Sequence, residues 1–412
     1  MRTLRNVVSG LVVLAFGMSL PAQSAPLRAF TGMTLIDGTD RPAIRNGVLV
    51  VQDGRVVAAG ASGSVRIPDG AERIVLDGKT MIPGLINAHG HVNTPRDLAV
   101  YAAYGVTTVF SLGGESPDVF AARDKQATPS LDRARVFVAG PVLAPTSPAE
   151  ARTMVASVAA QKADIVKIRV DDNLGTATKM EPAVYRAVID EAHKRGLRVA
   201  AHLFYLADAK GLLAAGADLV AHSVRDAPVD QELIDALKAK GVCVSPTLMR
   251  EVSTFVYETT PDFFADSLFL AHANREWIAT LREPARQDAV RRSASAQRYK
   301  AALDVASRNV KRLADAGVPI AMGTDTGPTG RFQGYFELME LELMVKAGLT
   351  PRQVLRAATA EAARCMKIDR ELGTLEPGKW ADFVVLNANP LTDISNVRRI
   401  SSVWTAGNRI DR

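Results

Sequence analysis

An alternation of short apolar segments with helix-like segments constrains the fold of this chain more than any other feature. Eight apolar segments, rich in branched residues, lie between residues 81 and 323, and helical patterns separate most of them. These segments are 81–86, 106–112, 135–139, 164–170, 198–204, 218–224, 242–248 and 319–323. Eight strand–helix units over this length are typical of a (β/α)8 barrel, so the sequence predicts an α/β fold with a TIM barrel.

Short β-rich segments with turn residues at both chain ends predict a second, smaller unit. We expect residues 26–80 and 369–412 to form one composite β-sandwich domain beside a barrel at 81–368. The barrel itself is expected to carry a long insertion at 249–317, which separates the seventh predicted strand from the eighth. Its aromatic residues predict a lid or a substrate wall over the mouth of the barrel.

Residues 1–25 have the pattern of a cleaved secretory signal peptide. Arg2 and Arg5 precede an apolar run at 7–20, which is short for a membrane span, and small residues follow it. The pattern predicts export to the periplasm or outside the cell, with no membrane span left after cleavage.

Cys243 and Cys365 lie far apart in the chain, in different predicted elements, and we expect both to be buried thiols.

Charge and composition exclude two broad classes. With 47% hydrophobic and 23% charged residues, the chain is not disordered as a whole. The net charge of +6 arises from 50 Lys+Arg against 44 Asp+Glu, spread along the sequence. No basic block is interleaved with aromatic residues, so nucleic acid is not an expected partner.

Four of the six histidines fall at or just past the carboxyl ends of predicted strands. His89 and His91 follow the first strand, His202 lies late in the fifth and His222 late in the sixth. Barrels of this kind place their chemistry at these strand ends. Because side chains alternate along a strand, His89 and His91 point to the same side and can bind one cation.

A lysine and an aspartate complete this pattern. Lys167 lies inside the apolar fourth strand, where an amine is costly unless it is paired or chemically changed; as a carbamate it would be an anionic, bidentate ligand. Asp325 follows the eighth strand. Any one of these six residues alone is more often structural, but together they suffice for two divalent cations. His193 and His272 lie off the pattern, and we expect structural roles for both.

Several sequence runs resemble the amidohydrolase superfamily, in its imidazolonepropionase-like and metal-dependent prolidase-like (Xaa-Pro dipeptidase-like) branch. They are MIPGLINAHGH at 81–91, AHS at 221–223, GTD at 323–325 and GTLEPGKWADFVVL at 373–386. The resemblance covers roughly residues 27–410. It implies a metal-dependent hydrolase acting on carbon–nitrogen bonds of a small amide or peptide, with two divalent ions, usually Zn²⁺.

The resemblance also implies a role for each candidate ligand. The more buried ion would be bound by His89, His91 and Asp325, and the more exposed ion by His202 and His222. Lys167, carbamylated by CO2, would bridge both. A hydroxide between the ions would then attack the amide carbonyl, with Asp325 as base and then acid.

Three further residues are candidates for substrate contacts. Arg169 and Arg225 follow ligand positions closely, and either would suit a substrate carboxylate, although ion pairs with neighbouring aspartates are an equal alternative. Tyr205 is a candidate to hydrogen-bond the tetrahedral intermediate. It stands three residues after His202, whereas the relatives often have His or Tyr two residues after that histidine.

Two alternatives stay open. One is a mononuclear-metal deaminase or cyclic-amide hydrolase; such relatives usually lack the strand-four lysine and carry an acid soon after the strand-five histidine. The other is a non-catalytic exported binding protein, in which a ligand would be lost. Lys167 is present and no acid closely follows His202, so two ions and an acyclic amide are favoured. Barrels of this size often assemble as homo-oligomers.

Overall fold

The computed structural model describes residues 26–412, so the predicted signal peptide at 1–25 lies outside the described residues. The strands are β1 (Arg28–Leu35), β2 (Ile44–Gln52), β3 (Arg55–Ala61), β4 (Glu72–Val75), β5 (Thr80–Pro83), β6 (Leu85–Gly90), β7 (Val106–Ser111), β8 (Arg135–Val138), β9 (Val166–Arg169), β10 (Val199–His202), β11 (Leu219–Ala221), β12 (Cys243–Ser245), β13 (Phe383–Leu386), β14 (Ile400–Thr405) and β15 (Asn408–Arg409).

The α-helices of the same range alternate with the strands over the first half of the chain and follow one another in the second half. They are α1 (Pro95–Ala103), α2 (Pro117–Asp124), α3 (Pro148–Ala160), α4 (Pro182–Lys194), α5 (Leu206–Ala215), α6 (Gln231–Lys240), α7 (Leu248–Phe255), α8 (Ser267–His272), α9 (Arg275–Leu281), α10 (Pro284–Arg292), α11 (Ala294–Asp315), α12 (Tyr335–Lys346), α13 (Pro351–Ala357) and α14 (Ala360–Met366). Among these helices, none is both long enough and apolar enough to cross a bilayer.

Both chain ends contribute to one sheet. Its order is β15-β14-β13-β5-β1-β2-β3, with β4 beside β1, and β13 runs antiparallel to β5. Phe30 contacts Phe383 and Trp404 edge to face, with ring centroids 4.9 Å apart in each pair, in the core of this unit. The strands from the two chain ends form one hydrogen-bonded sheet, so a division of this unit into two packed sheets stays a prediction, as do the domain boundaries.

Two parallel sheets form the centre of the molecule. One has the order β6-β7-β8 and the other β12-β11-β10-β9. Their residues are almost all buried, as expected for parallel strands covered by helices on both faces. The Asp164 amide donates to the Val138 carbonyl at 2.8 Å, which links the end of β8 to the start of the second sheet.

The eighth predicted strand is reduced to one bridge. Residues 319–323 pair with β12 only at Val244 and Ile320, although the Ala88 amide of β6 also donates to the Met322 carbonyl at 2.8 Å. Pro319 has no amide hydrogen for a ladder, which shortens any strand here. The segment therefore lies between β12 and β6, while full closure of an eight-stranded barrel stays a prediction.

The first predicted strand is divided at Gly84. Residues before it join the end sheet as β5, and residues after it join the parallel sheet as β6. A side chain at this position would place its Cβ 2.0 Å from the hydroxyl oxygen of Thr107 on β7. The chain passes from one sheet to the other so close to β7 that only glycine fits.

The insertion is helical and packs against α12 and the segment before it. It comprises α7 to α11 with two short 3₁₀ turns, and its aromatic rings contact those on and before α12. The contacting rings are Phe263, Phe264 and Phe269 on one side and Phe332, Tyr335 and Phe336 on the other. A role of this segment as a lid stays a prediction.

The expectation of two buried thiols is wrong. Cys243 at the start of β12 and Cys365 in α14 form a disulfide, with Cα atoms 5.9 Å apart. Both sulfurs lie in an apolar cluster that also holds Ile86 and Leu219, because α14 packs against the ends of the parallel strands. Distance along the sequence conceals this contact, which only the returning chain creates.

Candidate metal centre

The four predicted histidines meet at the carboxyl ends of β6, β10 and β11. His89 lies near the end of β6, with His91 just beyond it, while His202 ends β10 and His222 directly follows β11. His222 Nε2 is 2.7 Å from His202 Nδ1. The His89 ring lies 4.6 Å from the His222 ring and 6.0 Å from the His91 ring, between centroids. The four imidazoles thus form one cluster. His89 and His222 are buried in it, while His91 and His202 are partly exposed.

Lys167 and Asp325 complete this cluster. The Lys167 amine nitrogen is 3.0 Å from His89 Nε2. Asp325 Oδ1 is 3.3 Å from His89 Nε2 and 2.9 Å from His91 Nε2. One ligand atom from each of His89, His222 and Asp325 lies within 4.8 Å of the others. The structure therefore brings together all six side chains that the sequence predicted as candidate metal ligands.

Burial sets the protonation of the basic groups. Desolvation, with the nearby Lys167 charge, lowers the pKa of His89 to about 3, and desolvation likewise lowers the pKa of His202 to about 3. Desolvation also lowers the pKa of Lys167 to about 7. The two imidazoles are neutral at pH 7 and offer lone pairs, and a large fraction of the lysine is a neutral amine.

Asp325 is an anion in the same surroundings. Burial acts to raise its pKa, but the Arg331 guanidinium, together with hydrogen bonds from His89 and His91, holds that pKa well below its usual range. Arg331 contacts the outer carboxylate oxygen, Oδ2, so Oδ1 is left facing the histidines. Neutral imidazole nitrogens around one carboxylate are a donor set that fits Zn²⁺ and also admits manganese, cobalt or iron.

Partners outside the cluster orient three of the imidazoles. The Gly113 carbonyl lies 2.8 Å from His91 Nδ1, which donates to it, so His91 Nε2 is the nitrogen that faces Asp325. Thr247 Oγ1 lies 2.6 Å from His222 Nδ1, and Asp171 Oδ2 lies 2.9 Å from His202 Nε2. Such outer contacts fix ring orientation in metal sites.

Sequence reasoning missed Asp171 and Arg331 as parts of the site. Asp171 stands four residues after Lys167, in the same alternating register, and this spacing was a usable signal. Arg331 lies in the loop before α12, and no periodic pattern marks it. The residues set aside as structural lie elsewhere: His193 pairs with Asp218 at 2.9 Å, and the His272 ring contacts a tyrosine.

The predicted substrate arginines occupy different surroundings. Arg169 has a side chain that is 37% exposed, with Nε 3.6 Å from Asp171 Oδ1. Arg225 is buried; its Nε is 2.9 Å from Glu251 Oε1, and its Nη1 donates to the carbonyls of Leu203 and Ser223. The ion-pair alternative thus has a partner for each arginine, although for Arg225 that partner is Glu251. Their contact with a substrate stays a prediction.

Tyr205 lies at the start of α5. Its hydroxyl donates to Asp172 Oδ1 at 2.8 Å, and the Lys179 amine lies 4.7 Å from its ring centroid. Burial and this acceptor raise the pKa of Tyr205 to about 12, so the hydroxyl keeps its proton at neutral pH. A role in stabilising a reaction intermediate stays a prediction.

A cavity of about 570 Å³ lies between α1, the α8–α9 segment and the loop after Asp325. Asn93 and Gly327 line it, each two residues beyond a candidate ligand, and Trp277 contributes an aromatic wall from the insertion. None of the six candidate ligands lines this cavity. The cavity therefore adjoins the loops of the metal centre without containing it.

Comparison with known sequences gives one matching family and several related hydrolases. The family described as amidohydrolase matches residues 80–410. An imidazolonepropionase from Rhizorhabdus wittichii is 26% identical over 378 residues, which are 83% of this chain and 88% of that protein. An ochratoxinase from Aspergillus niger is 27% identical over 65% of this chain and 51% of its own length. An imidazolonepropionase from Deinococcus deserti is 36% identical over 24% of this chain, and the match spans only 26% of that relative.

Solved structures extend the similarity to nearly the whole chain. A putative prolidase from Bifidobacterium longum superposes with a TM-score of 0.77 at 27% identity, covering 95% of this chain and 96% of that one. A Xaa-Pro dipeptidase with bound methionine superposes with a TM-score of 0.74 at 21% identity, over 94% of this chain and 100% of that one, and shows the likeness of fold. With the family match over most of its length and the assembled cluster of histidines, lysine and aspartate, this chain belongs to the amidohydrolase family, in the branch of the imidazolonepropionases and prolidases.

Proposed function

We propose that this chain is a binuclear-metal hydrolase that cleaves the carbon–nitrogen bond of a small amide, either a peptide or an N-acyl amino acid. One observation carries the proposal: the buried Lys167 amine lies 3.0 Å from His89 Nε2, in the same cluster as the other five candidate ligands. A single-ion site would not need this lysine as a ligand, whereas its carbamate would bridge two ions. Its pKa of about 7 supports reaction of the neutral amine with CO2, which releases one proton.

The side chains divide into two groups around this lysine. One ion would be held by His89, His91 and Asp325, and the other by His202 and His222. When bound, the pair supplies a hydroxide nucleophile near neutral pH and polarises a carbonyl.

Asp325 is placed to move the proton. Its Oδ1 faces the histidines while Arg331 holds Oδ2, so the reactive oxygen points into the cluster. In the proposed sequence this oxygen accepts the proton released as the nucleophile attacks, and then donates it to the leaving amine nitrogen. Tyr205, which keeps its proton at neutral pH, would donate a hydrogen bond to the tetrahedral intermediate, and Arg169, partly exposed, would bind a substrate carboxylate.

We further propose that the two parallel sheets close as a (β/α)8 barrel and that the protein is exported. The hydrogen bonds through residues 319–323 support closure. The disulfide supports export, because disulfides persist in oxidising compartments and are rare where thiols are kept reduced. The predicted signal peptide points the same way.

A one-ion enzyme that deaminates or opens a cyclic amide is a second candidate. His89, His222 and Asp325 alone form a compact set, with ligand atoms within 4.8 Å of one another. The Rhizorhabdus wittichii relative, an imidazolonepropionase, aligns over most of its own length. In this candidate Lys167 would be a structural group.

Metal content and a substrate screen separate these candidates. The purified protein is analysed for bound metal by elemental mass spectrometry and assayed against dipeptides, N-acyl amino acids and cyclic amides, with and without bicarbonate. We expect two ions per chain and hydrolysis of acyclic amides. The Lys167→Ala variant should lose at least one ion and nearly all activity, whereas Lys194→Ala, at the exposed end of α4, should keep both.

Other outcomes have definite meanings. One ion per chain, retained in Lys167→Ala, with activity only on cyclic amides would contradict the two-ion proposal and support the second candidate. Absence of metal and of hydrolysis would contradict both and support the non-catalytic binding protein.

A further inference from the structure

Helix α12 carries two buried carboxylates that the proposed chemistry does not use. Glu337 and Glu340 are both 0% exposed and, three residues apart, lie on the same face of the helix. Within residues 26–412, neither forms an ion pair with a lysine or arginine within 4 Å. A buried carboxyl group without a cation is costly unless its oxygens are hydrogen-bonded, so its hydrogen-bond donors account for its presence.

Glu337 collects three donors on one oxygen. Its Oε1 accepts from Asn87 Nδ2 at 2.6 Å, from Thr324 Oγ1 at 2.7 Å and from Thr326 Oγ1 at 2.5 Å. Asn87 is on β6 and both threonines are in the segment after residue 323, so this oxygen joins the two strand ends that carry His89, His91 and Asp325.

Each of these donors continues to a candidate ligand. The Asn87 side-chain oxygen accepts from the His89 amide at 2.9 Å. The two threonines flank Asp325 directly in sequence, and the Thr326 carbonyl accepts from the His91 amide at 2.8 Å. One intervening residue therefore separates the Glu337 carboxylate from the backbone of each of these three ligands.

Glu340 acts on the opposite half of the cluster. Its two oxygens accept from the amides of Leu248 at 2.8 Å and Met249 at 2.6 Å, which are the first residues of α7. Thr247 immediately precedes them, and its hydroxyl oxygen is 2.6 Å from His222 Nδ1. The second carboxylate is thus connected to the imidazole of His222.

The backbone at these places needs such support. Asp325, His222 and Thr247 have φ angles of 60°, 90° and 53°, in the left-handed region that residues with a side chain rarely adopt. Residues held in this region persist only where surrounding contacts fix them. The partners of Glu337 flank Asp325, those of Glu340 directly follow Thr247, and the Thr247 hydroxyl contacts His222.

We propose that α12 is the positioning element of the metal centre, with Glu337 setting the geometry of His89, His91 and Asp325, and Glu340 setting that of His222. Both are positioning residues, since neither touches the proposed ions or a substrate. The inference rests on the proposed two-ion function. It divides the candidate ligands into one group positioned by Glu337 and another positioned by Glu340.

The carboxylates are tested by metal affinity in the full protein. Zn²⁺ content is measured at equilibrium over a series of chelator concentrations, and anomalous scattering from crystals locates each ion. Glu337→Met removes the acceptor, and we expect the ion at His89, His91 and Asp325 to be bound 10- to 100-fold more weakly while the other ion is retained. Glu340→Met should have the reverse selectivity.

Glutamine variants distinguish positioning from mere packing. In Glu337→Gln the amide oxygen still accepts all three donors, so affinity should stay near that of the wild type. In Glu340→Gln the amide NH2 faces one backbone N–H, so the His202 and His222 ion should still be weakened. Glu342→Gln, on the same helix but paired with Arg398 at its exposed side, is the matched control and should retain both ions.

Equal weakening of both ions in every variant, or unchanged affinity in Glu340→Gln, would overturn the positioning proposal. If the wild type binds a single ion, the two-ion function fails on its own. The positioning proposal is then decided by where anomalous scattering places that ion: Glu337→Met should weaken an ion at His89, His91 and Asp325, and Glu340→Met should weaken an ion at His222.

Discussion

At the residue scale, the cluster combines neutral bases with fixed partners. His91 donates to the Gly113 carbonyl, His222 contacts the Thr247 hydroxyl, and the third outer contact joins His202 to Asp171. The ring nitrogen opposite each contact faces the interior of the cluster. Each of these three rings therefore has one nitrogen in contact with a group outside the cluster, and such contacts help to orient metal-binding rings.

Neutral buried histidines give the metal-free protein a defined response to acid. The pKa of His202 is about 3 in the folded protein and 6.5 in an exposed histidine, so between these values the unfolded chain binds one more proton at this residue. Stability contributed by this group is therefore complete above pH 6.5 and is lost as the pH falls toward 3. We expect His202→Asn to reduce the slope of unfolding free energy against pH by up to about 1.4 kcal/mol per pH unit.

Urea unfolding of chelator-treated protein between pH 4.5 and 6.5 measures this slope. The comparison of variant with wild type cancels the opposing contribution of buried acids such as Glu340, whose pKa burial raises to about 8. His193→Asn serves as the surface-histidine control. Identical slopes for His202→Asn and wild type would contradict a neutral, buried His202.

At the element scale, the disulfide ties a central strand to the last helix before the C-terminal strands. Cys243 begins β12, and Cys365 lies in α14, which precedes the return of the chain to the end sheet. The bond closes a loop with a sequence separation of 122 residues. A cross-link over so long a loop restricts the unfolded chain strongly.

Removal of this bond should lower stability. We expect Cys243→Ser with Cys365→Ser to reduce the free energy of unfolding by about 2–5 kcal/mol. Urea unfolding measures the change, and the wild type in reductant should approach the double variant. Wild-type midpoints that are equal with and without reductant, together with two titratable thiols, would contradict the disulfide.

Sequence predicts these elements where the signal is local. The runs that became β6 to β12 are short, apolar and bounded by turns, and the four histidines mark the ends of β6, β10 and β11. The division at Gly84 was not predictable, because it depends on Thr107 of a neighbouring strand. Glu340 and Arg331 were also missed, since their partners are fixed by packing and not by any repeat. The disulfide between Cys243 and Cys365 was not predicted for the same reason, because only packing of α14 against the strands brings the two residues together.

At the scale of the whole molecule, a buried ion pair joins the end sheet to the central strands. Arg135 at the start of β8 donates to Asp382, which stands just before β13, with Nε and Oδ2 2.8 Å apart and both side chains 3% exposed. The same carboxylate accepts from the Ala406 amide at 2.7 Å. The Arg135 guanidinium also lies 4.3 Å from the Trp380 ring centroid.

Loss of Asp382 should destabilise the entire protein. Asp382→Ala leaves the Arg135 charge buried without its partner, and we expect a loss of about 3–5 kcal/mol in unfolding free energy. Glu371→Ala is the matched control, because it breaks the exposed pair with Arg55 and should cost about 0–1 kcal/mol. Equal urea midpoints for the two variants would contradict this role of the buried pair.

The pairing of β5 with β13 has a consequence for the order in which the molecule is made. Met81 and Ile82 lie opposite Val385 and Val384, which emerge some three hundred residues later during synthesis. Until then, one edge of β5 presents unpaired amides and carbonyls to any passing polypeptide. We therefore expect a chain that stops before β13 to associate through this open edge of β5.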